Sequence, residues 1–249
     1  MSRAGLIRTG VIVAALAALE AACRTGLIDR FSLSPPSEMA ISAARILASG
    51  EYTRDILATF ATVAAAAALS IVAGFGLGVV LYRFPRLKRA ADPFLASYYA
   101  VPSFIFYPLF IVLFGLNRWP LVAVAFVFAV VAMAIASVDG FLSVRPILLR
   151  TAASLRLTRA QTLRHVILPA AAPYLFTGVK LTVVYAFIGV VAGEFILSGS
   201  GLGYRIAFAY QSFETATMYG LMLILLTAVV SVNMLLWARE RRLHARLTR

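Results

Sequence analysis

Long apolar runs, each near the ~20 residues needed to cross a bilayer as a helix, alternate along this chain with short polar segments. The runs fall near residues 7–24, 56–82, 92–115, 119–139, 174–197 and 217–238. The first is the weakest, because Arg8 and Glu20 lie inside it or at its edge. The second is rich in small residues, Ala64 to Ala68 and then Gly74, Gly76 and Gly78, which lets a neighbouring helix approach closely. These glycines are no nucleotide loop, since no Lys-Ser or Lys-Thr follows them. The third carries Pro93, Pro102 and Pro108 and is expected to be kinked or broken. Such breaks are tolerated where neighbouring helices or a cavity satisfy the freed carbonyls. The pattern predicts an all-α membrane protein with about six transmembrane helices.

The polar segment RPILLRTAASLRLTRAQTLRHVILPAAAP, residues 145 to 173, is too strongly patterned to be a plain connector. Pro146 suits the first position of a helix, where a missing N–H costs nothing. Ile147, Leu148, Ala152 and Leu155 recur at helical spacing. Thr158 and Gln161 form a capping box that starts a second helix, and Leu163, Val166 and Ile167 make its apolar stripe. Pro169 and Pro173 are expected to end it. The product is a helix–turn–helix shelf with an apolar wedge among arginines, suited to docking another protein. Binding of anionic lipid head groups is the competing reading of the same arginines.

Two other polar segments stand out. In residues 29–52, Ser37 is expected to cap a short helix with Met39, Ala43, Ile46 and Leu47 on one face and Ile41 off it. In residues 198–214, four small residues are expected to break the chain into a loop, with Ile206, Phe208 and Tyr210 folding back to the membrane boundary.

Composition agrees with the membrane reading: 62% hydrophobic and 13% charged residues, with a mean hydropathy of +0.91. A soluble chain is about half apolar and a quarter charged. The lone Cys23 excludes a disulfide framework. The first apolar run is read as an anchor and not a cleaved signal, as no clear small-residue cleavage site follows it. Basic residues cluster in alternate segments: Arg3 and Arg8; Arg83, Arg86, Lys88 and Arg89; Arg145, Arg150, Arg156, Arg159 and Arg164; Arg239, Arg241, Arg242, Arg246 and Arg249. The positive-inside rule then places both termini and residues 140–173 in the cytoplasm. The opposite side holds Arg24, Arg30, Arg45, Arg54, Arg118 and Arg205 beside Asp29, Glu38, Glu51, Asp55 and Glu214. This bias accounts for the net charge of +13, and its spread over separate loops argues against nucleic acid.

Among single residues, Glu194 lies near the outer end of the fifth run. It is either a gating acid or an interfacial acid hydrogen-bonded to the loop, with Arg205 as a candidate partner. Lys180 is expected to snorkel to the inner interface. Asp92 and Asp139 are expected to cap or to pair with the basic residues from Arg83 to Arg89. Tyr98, Tyr99, Ser103 and Tyr107 on the bent third run either line a translocation path or pack between helices, as do Tyr185 and Asn233. His165 and His244 lie in basic segments, and no metal-ligand spacing appears.

The shelf resembles the cytoplasmic EAA loop of ABC importer permeases, whose pattern is E-A-A-x-x-x-G, nine residues, then I-x-L-P. Val166-Ile167-Leu168-Pro169 matches its end, Ala152 its second alanine, and Val144-Arg145-Pro146-Ile147-Leu148-Leu149 its V-D-P-x-L-L lead-in. Arg150 stands at the glutamate position, Thr151 at the first alanine and Arg156 at the glycine. Ala170 to Pro173 and Thr177-Gly178 resemble its continuation. Pro35-Pro36-Ser37-Glu38, Ser49-Gly50-Glu51, Ala192-Gly193-Glu194 and Gly201-Leu202-Gly203-Tyr204 resemble the nitrate, sulfonate and taurine branch.

The resemblance implies a type I ABC importer permease fold with cytoplasmic coupling helices. The division is an anchor and periplasmic segment over 1–53, a core over 54–240 with its coupling loop at 140–173, and a basic tail over 241–249. The implied location is the bacterial inner membrane. The implied partners are two ABC ATPase subunits, a second permease copy, a periplasmic substrate-binding protein and membrane lipid. The chain has no P-loop, so it carries no cofactor; ATP and Mg would be bound by the ATPase. Coupling would fall to Arg150, Ala152, Leu155, Arg156, Thr158, Arg159, Gln161, Leu163, Val166, Leu168 and Pro169. Path or gate would fall to Tyr98, Tyr99, Ser103, Tyr107, Tyr185, Glu194, Gly201 and Gly203. The competing class is an ion-coupled secondary transporter, which would want inverted repeats and mid-membrane acids; neither is visible.

Overall fold

The computed structural model describes residues 3–29 and 32–247, with the side chains of 3–4, 99, 103, 197 and 242–247 outside the description. Arg30 and Arg249, and the side chains of Arg3, Arg242, His244 and Arg246, therefore lie outside the described residues. The described elements are α1 (Arg3–Arg24), α2 (Pro36–Ser49), α3 (Thr53–Arg83), α4 (Pro85–Ser97), α5 (Tyr107–Phe114), α6 (Trp119–Leu142), α7 (Pro146–Ser154), α8 (Arg159–Thr162), α9 (Leu168–Leu197), α10 (Leu202–Gln211) and α11 (Thr215–Leu247).

Among the described residues five helices are long and apolar enough to cross a membrane: Gly5–Arg24, Thr53–Arg83, Trp119–Leu142, Arg159–Ile196 and Thr215–Arg241. The third sequence run is not one helix. Pro93 sits inside α4, and 3-10 turns at Tyr98–Ala100 and Ser103–Phe106 flank Pro102. Pro108 then falls at the start of the short α5, so each proline lies where its missing N–H breaks or spares the helix ladder.

The chain forms two compact units, Met1–Ala58 with Glu194–Ala228, and Thr59–Gly193 with Val229–Arg249. In the second, α3, α6 and α9 pack through small side chains: Val63, Ala66 and Ala67 meet Ala125, Ala129, Ala186 and Val190. Gly74 and Gly78 share one face of α3 and lie directly against α6; a Cβ on Gly74 would sit 2.5 Å from Val130 O. Gly76, two residues off that face, meets open space.

In the first unit, α2 buries Ala43 and Ile46, while Leu47 and Ile41 are exposed. Ser37 does not cap this helix; Pro35 holds the cap position. The cap comes from Glu20 of α1, whose carboxylate accepts the Ser37 N–H at 3.0 Å and the Ser37 hydroxyl at 2.6 Å. A carboxylate there satisfies an orphan N–H and matches the positive end of the helix dipole. Ser42 Oγ donates to Ala216 O at 2.7 Å and fastens α2 to α11.

Two further expectations are corrected. Residues 198–214 are not a plain loop but contain α10, in which Ile206 is buried and Phe208 and Tyr210 are exposed. Pro169 and Pro173 do not end the shelf. The helix runs from Arg159 to Ile196 through a π turn at Leu163–Ile167. In that turn the Leu168 N–H reaches back to Leu163 O, one residue further than in an α-helix. The wider turn relieves the clash of the Pro169 ring with the carbonyl four residues earlier, and the helix passes through.

Candidate functional site

The shelf is built from local signals. Pro146 occupies the first turn of α7. The helix closes with a Schellman pair, Leu157 N–H to Ala152 O and Arg156 N–H to Ala153 O, both 3.0 Å. That closure needs a left-handed residue, and Arg156 supplies it at φ +51°. Here is the physical reason for a glycine at this place in the resembled loop: an arginine pays a Cβ clash that glycine does not. Thr158 then caps α8. Its hydroxyl accepts the Gln161 N–H at 3.3 Å, and the Gln161 carbonyl oxygen accepts the Thr158 N–H at 2.8 Å.

Ala152 is buried, whereas Leu155 (68% exposed), Ile147, Leu148 and Leu163 are left uncovered. Arg150, Arg156, Arg159, Arg164 and Pro169 are exposed around them, and Val166 and Leu168 are half-buried. A cleft of about 420 Å³ lies behind the wedge, lined by Leu148, Ala152, Leu155, Leu157, His165 and Val166 among others. Exposed leucines on a segment that also exposes four arginines suit an apolar partner pocket with acidic margins.

In the first unit, two carboxylates hold the N-terminus of α10. Glu194, 2% exposed, accepts the Gly203 N–H at 2.9 Å. Asp55 accepts the Gly201 N–H at 2.9 Å and pairs with Arg205 Nε at 2.8 Å. Arg205 therefore pairs with Asp55 and not with Glu194. The hydrogen bond from Asp55 raises the Arg205 pKa above the ordinary arginine value. The guanidinium also stacks at 5.7 Å over Tyr52, whose phenol is pushed up by burial and by Glu51 beside it. Gly201 sits at φ +100°, and a side chain there would run into the Glu194 carboxylate. Asp55 is the residue that sequence reasoning missed; an acid at the mouth of an apolar run is its only signal.

Tyr107 is buried against Leu121 and Val124. Tyr98 donates its hydroxyl to Val127 O at 2.5 Å and lines a cavity of about 500 Å³ with Phe94 and Val101. Tyr185 stacks edge-on against Phe128 at 5.2 Å and lines another, of about 560 Å³, with Asp139, Tyr174, Thr177 and Leu181. The side chains of Tyr99 and Ser103 lie outside the described residues. Asn233 is exposed, and Asp92 pairs with Lys88 at 2.9 Å. The Lys180 ammonium pairs with Glu240 at 2.8 Å. Among the described residues no three His, Cys, Asp or Glu side chains gather as a metal site would need.

The described residues thus combine apolar helices long enough to cross a membrane with an amphipathic α7–α8 shelf. The family described as "Binding-protein-dependent transport system inner membrane component" matches residues 68–249, and the chain belongs to it. It is 26% identical over 211 residues to a "Probable ABC transporter permease protein" of Brucella melitensis, covering 85% of this chain and 86% of that one. To the "Taurine transport system permease protein TauC" of Escherichia coli it is 27% identical over 195 residues, 78% and 68% of the two chains. To the "Nitrate import permease protein NrtB" of Leptolyngbya laminosa it is 29% identical over 158 residues, 64% and 57%. A chain of the MetNI methionine ABC transporter, solved inward-facing, superposes with a TM-score of 0.64 at 21% identity, covering 80% of this chain and 96% of that one. The fold is thus that of type I ABC importer permeases, and the relatives that the chain resembles include taurine and nitrate permeases. The chain is a multi-pass inner-membrane permease subunit and not an enzyme.

Proposed function

We propose that this chain forms the translocation path of an ATP-driven importer for a small anion such as nitrate, a sulfonate or taurine, handed over by a periplasmic binding protein. Two copies of the chain pair in the membrane and engage two ATPase subunits, which hold the ATP and Mg. Both termini and the α7–α8 shelf lie in the cytoplasm, in keeping with the clustered arginines, and residues 1–53 serve as anchor and periplasmic segment.

The observation that carries this reading is the shelf itself. Its apolar wedge is uncovered, its two helices are capped where they meet, and it continues through the π turn into the long α9. Arg150, Ala152, Leu155, Arg156, Thr158, Arg159, Gln161, Leu163, Val166, Leu168 and Pro169 form the coupling element. Closure of the ATPases moves it as a lever, and the spans switch access as rigid bodies. Glu194, Gly201 and Gly203 set the outer gate by fixing α10. Tyr98, Tyr99, Ser103, Tyr107 and Tyr185 belong to the path and its walls.

The test is transport by Arg159→Glu and Leu163→Asp. Both substitutions abolish uptake and leave membrane insertion intact, because each spoils the docking face at the polar start of the Arg159–Ile196 helix, ahead of its apolar stretch. Normal uptake by both variants would remove the shelf from the coupling role.

A further inference from the structure

Lys180 is a lone cation within the apolar α9, and it is met by the carboxylate of Glu240 on α11 at 2.8 Å. Both side chains are largely buried, at 23% and 13% exposure. The other carboxylate oxygen of Glu240 accepts from the Thr177 hydroxyl at 3.2 Å, one turn earlier on α9; Pro173 O, at 3.1 Å, competes for the same proton. Glu240 sits between Arg239 and Arg241, and the Arg241 guanidinium is engaged at 4.7 Å over the Trp237 ring. At the same level Gly178 presses α9 onto α6, where a Cβ would come within 2.6 Å of Ala136 Cβ. Thr177 also lines the cavity of about 560 Å³ shared with Asp139, Tyr174 and Tyr185.

Separating such a pair would strand two charges in a poorly solvated place, which costs far more than keeping them together. The clasp therefore resists opening. It grips α9 only a few turns beyond the π turn, on the helix that continues from the shelf. We propose that Glu240 is a positioning residue of the transport cycle: by holding Lys180 and Thr177 it makes α11 follow α9 whenever the shelf is moved. This rests on the importer reading above. The helix is continuous from Arg159 to Ile196 through the π turn and Pro173, so motion imparted at α8 reaches Lys180, and the ion pair passes it to α11. The α9 wall of the cavity and α11 then change position as one body.

The test uses the purified complex of this chain with its ATPase, with Cys23→Ser as background and spin labels at Leu181→Cys and Leu235→Cys. The α9–α11 distance is measured by electron–electron resonance in the nucleotide-free and vanadate-trapped states. The expected result is one narrow distance that nucleotide does not change. In Glu240→Gln the trapped state shifts it by roughly 2 Å or more, the size of helix shifts in such transitions. The exchange Lys180→Glu with Glu240→Lys returns the fixed distance. A role in folding alone would lower the yield of Glu240→Gln without making the distance respond to nucleotide. A nucleotide-dependent distance in the unsubstituted clasp, or a fixed one in Glu240→Gln, overturns the proposal. Absence of any co-purifying ATP hydrolysis overturns the importer reading itself, and the proposal with it.

Discussion

Glu194, near the end of α9, accepts the backbone N–H of Gly203 at 2.9 Å, so a buried carboxylate caps the helix that follows it. Asp55, from the start of α3, takes the Gly201 N–H two residues earlier. The start of α10 is held from two different helices, and both acids gain a backbone donor in return for burial.

Gly201→Ala is expected to destabilise the protein by roughly 1–3 kcal/mol, through a strained left-handed backbone and a clash with Glu194. Glu194→Ala strands the Gly203 N–H and costs a similar ~1–3 kcal/mol. Thermal unfolding in detergent measures both. Wild-type stability in either variant would show that α10 is not anchored here.

The Asp55–Arg205 pair is partly exposed, so a double-mutant cycle to alanine should return a coupling of no more than about 1 kcal/mol. The pH behaviour follows from the raised Arg205 pKa. A cation whose folded pKa is raised stabilises fully below its unfolded pKa and loses that only as pH climbs through the folded value. The Arg205 contribution should then stay flat from about pH 6 to pH 10, well below the ordinary arginine range. A contribution that faded over that interval would contradict the pairing.

Arg156→Gly should stabilise the shelf by about 1 kcal/mol, since the αL position no longer carries a Cβ. Arg156→Val should do the reverse, because branching at Cβ worsens the same clash. Hydrogen exchange at the Leu157 amide, which closes the Schellman pair, reads the difference. Equal protection in all three would mean the turn is not strained.

Thr158→Ala removes one half of the capping box and should cost about 1 kcal/mol of local helix stability. The expected signature is faster exchange at Gln161 and Thr162, with membrane insertion unchanged. Unaltered exchange would show that the π turn and α9, not the cap, hold α8 in place.

How much of this was legible beforehand depended on the reach of each interaction. Pro146, the Thr158–Gln161 box and the broken third run could be read because caps and prolines act within one turn. The passage of the helix through Pro169 could not, since a π turn leaves no distinct periodicity. Ser37 has the right composition for a cap, yet Glu20 does the capping from the preceding helix. Glu194 was visible as an acid in an apolar run, but its partner was not. Arg205 is close in sequence, while the residue that pairs with it, Asp55, lies 150 positions earlier in the chain. Lys180 likewise asked for a counter-charge, and only the packing of α9 on α11 supplied Glu240.

On the proposed reading the α7–α8 shelf docks a separate ATPase. A mild-detergent pull-down of the tagged chain from its native membrane, with partners identified by mass spectrometry, tests it directly. A stoichiometric P-loop ATPase should co-purify with the chain and be lost in Leu163→Asp. Recovery of the chain alone, stable and monodisperse, would contradict that reading.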